Sequence, residues 1–316
     1  MELSHFTQQV KDEALRLGFS AVGFAEVQLA DTEMTYLYEW LRADHHAGMA
    51  YMANNLSLRR NPQDLVEGAR TVISLALNYY PAKLQHPEAP HIAYYAYGKD
   101  YHKVLKKRLQ VLWQYILSLY PSEAEPPQAR CFTDSAPILE RYWAWKAGLG
   151  FIGKNTNLIL PGKGSYFFLG EIITTLPFLY DTPQASRCGT CTRCIDACPS
   201  KALRGAQQLD ARRCLSYLTI EHRGEIASAD AEHLGNRLYG CDTCQMVCPW
   251  NNNSQPTTEP AFAASEALLQ LSDDDLMDFT PEKYEHFFAH SAARRAKYEG
   301  MYRNAMAYLK NRRSRL

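Results

Sequence analysis

The stretch Cys188-Gly-Thr-Cys191-Thr-Arg-Cys194-Ile-Asp-Ala-Cys198-Pro199 decides what the middle of this chain must be. Cysteines in a C-x2-C-x2-C run can wrap one face of an iron–sulfur cube. A fourth, after three more residues and before a proline, points away toward a second cube. Downstream, Cys241-Asp-Thr-Cys244-Gln-Met-Val-Cys248-Pro249 repeats the second half of that run without its first cysteine. Cys214, in the intervening helical segment, is the natural replacement. The crossing pattern predicts one 4Fe–4S cluster on Cys188, Cys191, Cys194 and Cys248, and a second on Cys214, Cys241, Cys244 and Cys198.

Zinc is the competing reading, because paired C-x2-C units also build tetrahedral sites. It accounts neither for two Cys-Pro endings nor for this number of ligands. The remaining cysteine, Cys131, is expected to be a small buried hydrophobe. Two clusters in one small segment make a one-electron relay, and a relay alone needs no large partner domain. Something in the first half of the chain must receive the electrons.

The chain has 316 residues, 46% hydrophobic and 22% charged, with a formal net charge of zero. That is ordinary for a globular protein of about two domains. Neutrality argues against indiscriminate nucleic-acid binding. No run of ~18 apolar residues predicts a membrane span, and the amphipathic start MELSHFTQQVKDEALRLGF does not read as a secretory signal. A cytoplasmic, reducing setting follows, where clustered cysteines mean metal more often than disulfides. FSAVGFA, TVISLALNYY and YFFLGEIITTLPF read as strands, and YHKVLKKRLQVLWQYILSLY as a long amphipathic helix. PSEAEPPQA is a surface connection and NNNSQPTTEP a polar linker. From Arg294 onward, Arg294, Arg295, Lys297, Arg303, Lys310, Arg312, Arg313 and Arg315 face one acid, Glu299. This is either a solvated helical face or a phosphate-contacting one.

The stretch GLGFIGKN (148–155) fits a dinucleotide fingerprint and nearly a phosphate loop. Both need a strand before and a helix after. Here the helical spacing of Ile138, Leu139, Tyr142, Trp143 and Lys146 precedes it, so Gly148 reads as a helix C-cap. NTNLIL, which follows, reads as a short strand.

Several segments together resemble the epoxyqueuosine reductase family: YAYGKDYHKVL (95–105), FTDSAPILER (132–141), AGLGFIGKN (147–155), GSYFFLGE (164–171), the double-cluster segment, CLSYLTIEHRG (214–224) and KYEGMYRNA (297–305). The family is similar to cobalamin-dependent reductive dehalogenases. The resemblance implies an α+β fold: a nitroreductase-like cobalamin-binding catalytic domain over 1–180, a ferredoxin-like two-cluster module over 181–252, and a helical tail over 253–316 that packs on the core and is basic at its end. The C-terminal helical-repeat domain of many members is not expected here.

The implied reaction is two-electron reduction of epoxyqueuosine to queuosine at the tRNA wobble position, with the clusters reducing cobalamin to cob(I)alamin. Asp134 matches the family's proton donor, and burial against the corrin is expected to raise its pKa. By sequence alone, Asp134 also fits an N-cap for a helix starting near Pro137. No D-x-H-x-x-G motif is present, since Leu105 stands where glycine is required after Asp100-Tyr-His102, so no histidine ligand to cobalt is expected. Ser57, Tyr97, Asp134, Asn157, Leu158, Leu169, Ser216 and Asp242 are the implied corrin contacts, with Lys154 and Asn155 near its rim. Ordinary packing or loop hydrogen bonding is the alternative for each. His222 and Arg223 are implied RNA contacts, against an exposed polar turn. The implied partners are tRNA carrying epoxyqueuosine and an unidentified low-potential electron donor, with no membrane. A dehalogenase-like cobalamin enzyme and a non-catalytic two-cluster electron carrier are the rival functions.

Overall fold

The computed structural model of the chain describes residues 2–120 and 125–313. Residues 121–124 of the proline-rich connection and the basic Arg315 lie outside the described residues. The first half holds helices α1 (Leu3–Arg16), α2 (Asp31–Arg42), α3 (Leu56–Arg60), α4 (Tyr101–Ser118) and α5 (Glu140–Lys146). Its strands are β1 (Ala21–Glu26), β2 (Thr71–Asn78), β3 (His91–Ile92), β4 (Ala129–Phe132), β5 (Phe151–Ile152), β6 (Leu158–Ile159) and β7 (Phe167–Thr174). Helices and sheet are thus mixed. Four of the strands make one antiparallel sheet in the order β1-β2-β7-β4.

Side chains alternate across a strand, and β2 uses both faces. Ile73, Leu75 and Leu77 pack with Val10 and Ala14 of α1 and with Leu105, Leu109 and Leu112 of α4. Val72 and Ala76 pack instead with Tyr142, Trp143 and Ala144 of α5. A strand buried on both faces needs no polar alternation, which explains why TVISLAL is mostly apolar, its Thr71 and Ser74 buried with the rest. Ser74, Glu171 and Phe132 stand abreast across β2, β7 and β4. Parity with Val72 and Ala76 sends the Glu171 carboxyl toward the α5 face. The same α4 that buries Leu105 and Leu109 begins at Asp100, whose carboxylate caps it by accepting the His102 N–H.

The cysteine-bearing segment consists of short pieces, among them the helices Arg193–Asp196, Leu215–Ile220 and Thr243–Met246. Strand Arg237–Tyr239 pairs in parallel with β3 and ties the two halves together. NNNSQPTTEP is strapped to the core rather than free. Asn251 Oδ1 accepts the Ser165 N–H at 2.7 Å, and Thr257 donates its N–H to Tyr80 O at 2.7 Å. The last helix, Lys297–Arg313, is anchored by Asn304, wholly buried, whose amide donates to Thr219 O and Leu238 O. Among the described residues, no helix is long and apolar enough to cross a membrane.

Candidate active site and cysteine quartets

Beyond Phe132 the chain bends through Thr133–Pro137 before α5. Helix α5 starts at Glu140, after Leu139 and without a capping side chain, so Asp134 is not the expected N-cap near Pro137. Instead Asp134 adopts the left-handed conformation, φ 52°, which is unfavourable for a residue with a Cβ. Its Oδ2 accepts from Tyr101 Oη at 2.9 Å and lies 3.0 Å from His102 Nε2. The other imidazole nitrogen, Nδ1, lies 2.7 Å from Asp100 Oδ1. Tyr101 is held by stacking on Phe168, centroids 4.1 Å apart, and on His102.

An imidazole between two carboxylates favours its charged form. The hydrogen bonds from Asp100 and then Asp134 push His102 up to about 9. Reciprocally, the bond to His102 holds both Asp134 and Asp100 below the usual carboxylate range. For Asp134 this outweighs burial by the surrounding protein. The proton of the pair rests on His102, a residue that sequence reasoning weighed only as a failed cobalt ligand. The signal was present in DYH: a helix-capping Asp two residues before a histidine.

Behind the loop, Glu140 Oε1 accepts the Asp134 backbone N–H. Glu171 is wholly buried, and neither of its oxygens meets a protein donor. Its hydrogen-bonding neighbour is the Glu140 carboxyl. Burial, reinforced by the charge of Asp134, pushes Glu140 up to about 7, and Glu171 is also raised, first by burial and then by Glu140.

Across the cleft, Arg295 makes a bidentate pair with Glu221, both contacts 2.9 Å, and its guanidinium lies 5.7 Å from the Tyr51 ring centre. Arg295 and Tyr51 both feel the charge of Asp134. Arg303 donates to the carbonyls of Leu218, His222 and Gly224 and so shapes the turn that carries His222 and Arg223. Arg223 donates to Ile220 O and Arg295 O. Arg294 pairs with Glu285, and Arg312 with Glu88 and Asp273. Much of the basic tail is therefore internal scaffolding. A cationic wall that the sequence did not suggest lies beside His102, where Lys103, Lys106 and Arg130 line an open cleft of about 390 Å³.

The eight cysteines fall into two neighbourhoods. Cys188, Cys191, Cys194 and Cys248 line one pocket with Ile159, Pro249 and Trp250. Cys214 has Cys241 and Cys198 as charge neighbours, and Cys244 has Cys241 and Cys214. The two meet where Cys244 also senses Cys194. Burial, with mutual repulsion added, raises the thiols of Cys194, Cys214, Cys244 and Cys248. Such groups become thiolates only around a compensating cation, which is the donor set iron–sulfur clusters take. Cys131 is half-buried in β4 and packs at the edge of the core.

The hairpin β5–β6 joins the two regions. Phe151 and Ile159 pack on Cys248, while Leu158 packs with Phe132 and Leu169 on the Asp134 side. Gly148, φ 74°, follows the end of α5 as a C-cap glycine. A Cβ on Gly150 would lie 2.1 Å from Ile159 O, so that glycine serves the hairpin's own closure. Lys154 Nζ donates to Gly189 O and Cys191 O, and Asn155 to Cys244 O. These two residues brace the cysteine loops.

Among the corrin candidates, Leu158 and Leu169 offer apolar surface in that same cluster. Ser57, Asn157 and Ser216 carry side-chain polar groups that bond no protein atom among the described residues. Tyr97 and Asp242 are each 4% exposed. Tyr97 Oη bonds Gln85, and Asp242 Oδ2 accepts the Tyr94 N–H at 2.8 Å.

Residues 59–135 match the family model described as epoxyqueuosine reductase QueG, DUF1730, and residues 187–251 match a 4Fe-4S double cluster binding domain. The epoxyqueuosine reductase of Leadbetterella byssophila is 42% identical over 96% of this chain and 98% of its own. That of Pseudomonas aeruginosa is 42% identical over 98% and 86%, and that of Escherichia coli 39% identical over 98% and 82%. A crystal structure of epoxyqueuosine reductase with a tRNA-Tyr epoxyqueuosine-modified stem loop superimposes with a TM-score of 0.87 at 29% identity, covering 97% of this chain and 81% of that one. The Bacillus subtilis enzyme, captured with its catalytic aspartate loop swung out of the active site, gives 0.85 at 28% identity over 97% and 82%. The chain therefore belongs to the epoxyqueuosine reductase family and is an oxidoreductase.

Proposed function

We propose that this chain reduces epoxyqueuosine to queuosine at the wobble position of tRNA, in the cytoplasm. One observation carries the reading: the β5–β6 hairpin packs on Cys188 and Cys248 with one face and, through Leu158 and Phe132, beside the Asp134 loop with the other. Cys188, Cys191, Cys194 and Cys248 would hold one 4Fe–4S cluster, and Cys198, Cys214, Cys241 and Cys244 the other. When bound, the clusters and a cobalamin would supply low-potential electrons, received from a donor protein and delivered to the substrate.

The division of labour follows that of the family. Residues 1–180 form a nitroreductase-like corrin-binding domain, 181–252 the two-cluster module, and 253–316 the helical tail. Ser57, Asn157 and Ser216 would bond the polar edge of the corrin, and Leu158 and Leu169 would cover its apolar face. Tyr97 and Asp242 would support that wall from behind through their buried bonds.

Asp134 is the proton donor to the departing epoxide oxygen, and His102 supplies its proton. An imidazolium at 3.0 Å can protonate Asp134 as negative charge develops on the substrate, and Tyr101 Oη keeps the carboxylate oriented. His222 and Arg223, on the turn held by Arg303, would contact the RNA, together with Lys103, Lys106 and Arg130. A base everted from the anticodon loop would enter between them.

The test is anaerobic incubation of the reconstituted protein with cobalamin, a strong chemical reductant and tRNA carrying epoxyqueuosine, followed by nucleoside analysis. Queuosine is the expected product. Clusters that reduce and reoxidise normally while epoxyqueuosine persists would identify an electron carrier instead.

A further inference from the structure

The wholly buried Glu171 and the half-buried Glu140 are neighbouring carboxyls set behind the Asp134 loop. Glu171 comes from the middle of β7, flanked by Ser74 and Phe132. It is fully buried and has no donor for either oxygen, and the Ser74 hydroxyl beside it is likewise unpartnered. Two ionised carboxylates cannot bond one another, since both only accept. One proton between them removes the conflict: one carboxyl donates, the other accepts, and Glu140 keeps lone pairs for the Asp134 N–H. We propose that Glu140 and Glu171 are positioning residues for the reaction, a proton-sharing latch that holds the Asp134 loop over the cleft.

The latch has a job because the loop is not held by its own backbone preference. Asp134 sits at φ 52°, a conformation that persists only when its surroundings enforce it. The charged groups facing the pair are few. Glu140 meets Asp134, Arg141 and His102, and Arg141 is in turn shared with Glu33 on α2. Among the described residues, the charges that Glu171 feels are those of Glu140 and Asp134. Loss of the shared proton therefore leaves three carboxylates together with one shared guanidinium and one imidazolium, and the repulsion expels the loop. The direction agrees with Glu140 being pushed up to about 7 by burial and Asp134. The inference rests on Asp134 being the residue that meets the substrate. Turnover by Asp134→Ala tests that separately, and the experiment below decides the latch whichever way that turnover falls.

The latch is a hydrogen bond to one backbone amide, so hydrogen exchange of the Asp134 N–H reads it directly. The measurement uses the cluster-loaded protein without substrate, expressed as protection relative to the intrinsic rate, from about pH 6 to about pH 9. Wild type is expected to lose protection as pH rises through about 7. Glu140→Ala should lower protection about tenfold or more at every pH, in line with a lost bond to a charged acceptor. Glu171→Gln, whose amide donates at any pH, should keep protection and abolish its pH dependence. Iron content and circular dichroism matching wild type establish that each variant is folded. Unchanged protection in Glu140→Ala, or the same pH dependence in Glu171→Gln as in wild type, overturns the proposal.

Discussion

His102 Nε2 lies 3.0 Å from Asp134 Oδ2 while His102 Nδ1 lies 2.7 Å from Asp100 Oδ1. One imidazolium thus bridges two carboxylates, and its charge is what keeps both ionised. In the proposed reaction the acid would be stored on the histidine and aimed by the aspartate. Because His102 is raised to about 9, the protonated form is complete at neutral pH and is lost as pH rises through that value. Single-turnover rates should therefore fall above about pH 9. His102→Gln should remove that alkaline limb and slow the chemical step by about 10²- to 10⁴-fold. A variant that retains both the limb and the rate would exclude His102 as the proton source.

The strands β1, β2 and β7, helix α4 and the Gly148 cap were legible because each rests on local periodicity or on one glycine. The pairing of β4 with β7 was not, since four residues carry no usable period and their place is fixed by the sheet. The cysteine pairs were legible from spacing because a cube imposes it. Glu140 and Glu171 were hidden for the opposite reason: a glutamate within GSYFFLGE gives no local sign that its strand is buried on both faces. Burial of a charge is decided by tertiary packing, which also sets His102 beside Asp134.

The two cysteine neighbourhoods predict a pattern of non-additivity. Cys248→Ser should cut iron from about eight to about four atoms per chain, and adding Cys188→Ser should cut it no further, because both serve one cluster. Combining Cys188→Ser with Cys214→Ser should remove nearly all iron. Iron analysis after anaerobic reconstitution checks this. A further loss in the first pair would break the crossed assignment.

Arg303 and Arg223 separate scaffold from RNA contact. Arg303 donates to Leu218 O within helix Leu215–Ile220 and to His222 O and Gly224 O of the turn after it, so Arg303→Gln should lower stability by about 2–3 kcal/mol. Arg223 is exposed and its loss should leave stability within about 0.5 kcal/mol. In tRNA binding against salt, Arg223→Gln should reduce the log–log slope by about 0.7–0.9. Thermal unfolding and a salt titration distinguish the two roles, and equal slopes for wild type and Arg223→Gln would remove Arg223 from the RNA surface.

Gly150 gives a steric test of the hairpin that joins the two regions. A Cβ there would lie 2.1 Å from Ile159 O and 2.8 Å from Ile159 C, and both are backbone atoms with no rotamer to change. Gly150→Ala should destabilise the chain by about 1–3 kcal/mol and loosen both ends of the hairpin. Gly162, with open space around its Cβ position but φ 76°, is the control for strain without a clash. Thermal unfolding of the two alanine variants should rank Gly150 as the more damaging.

The Glu140–Glu171 pair also fixes how stability depends on pH. Glutamates titrate near 4.5 when solvated, whereas here Glu140 is raised to about 7 and Glu171 is raised too, chiefly by burial. The folded state therefore binds more protons than the unfolded one between those values. Stability is greatest where the pair is protonated and falls as pH climbs from about 4.5 through 7. Asp100 and Asp134 work in the opposite sense: lowered in the folded state, they stabilise it above about 3.8 and cease to do so in acid. Glu171→Gln removes one of the two costly charges and gives Glu140 a permanent donor. It should raise stability by about 1–3 kcal/mol at pH 9 and change it little at pH 4.5. Thermal unfolding of the cluster-loaded protein at those two pH values measures the difference, and a gain of equal size at both would mean that the pair carries no charge at pH 9.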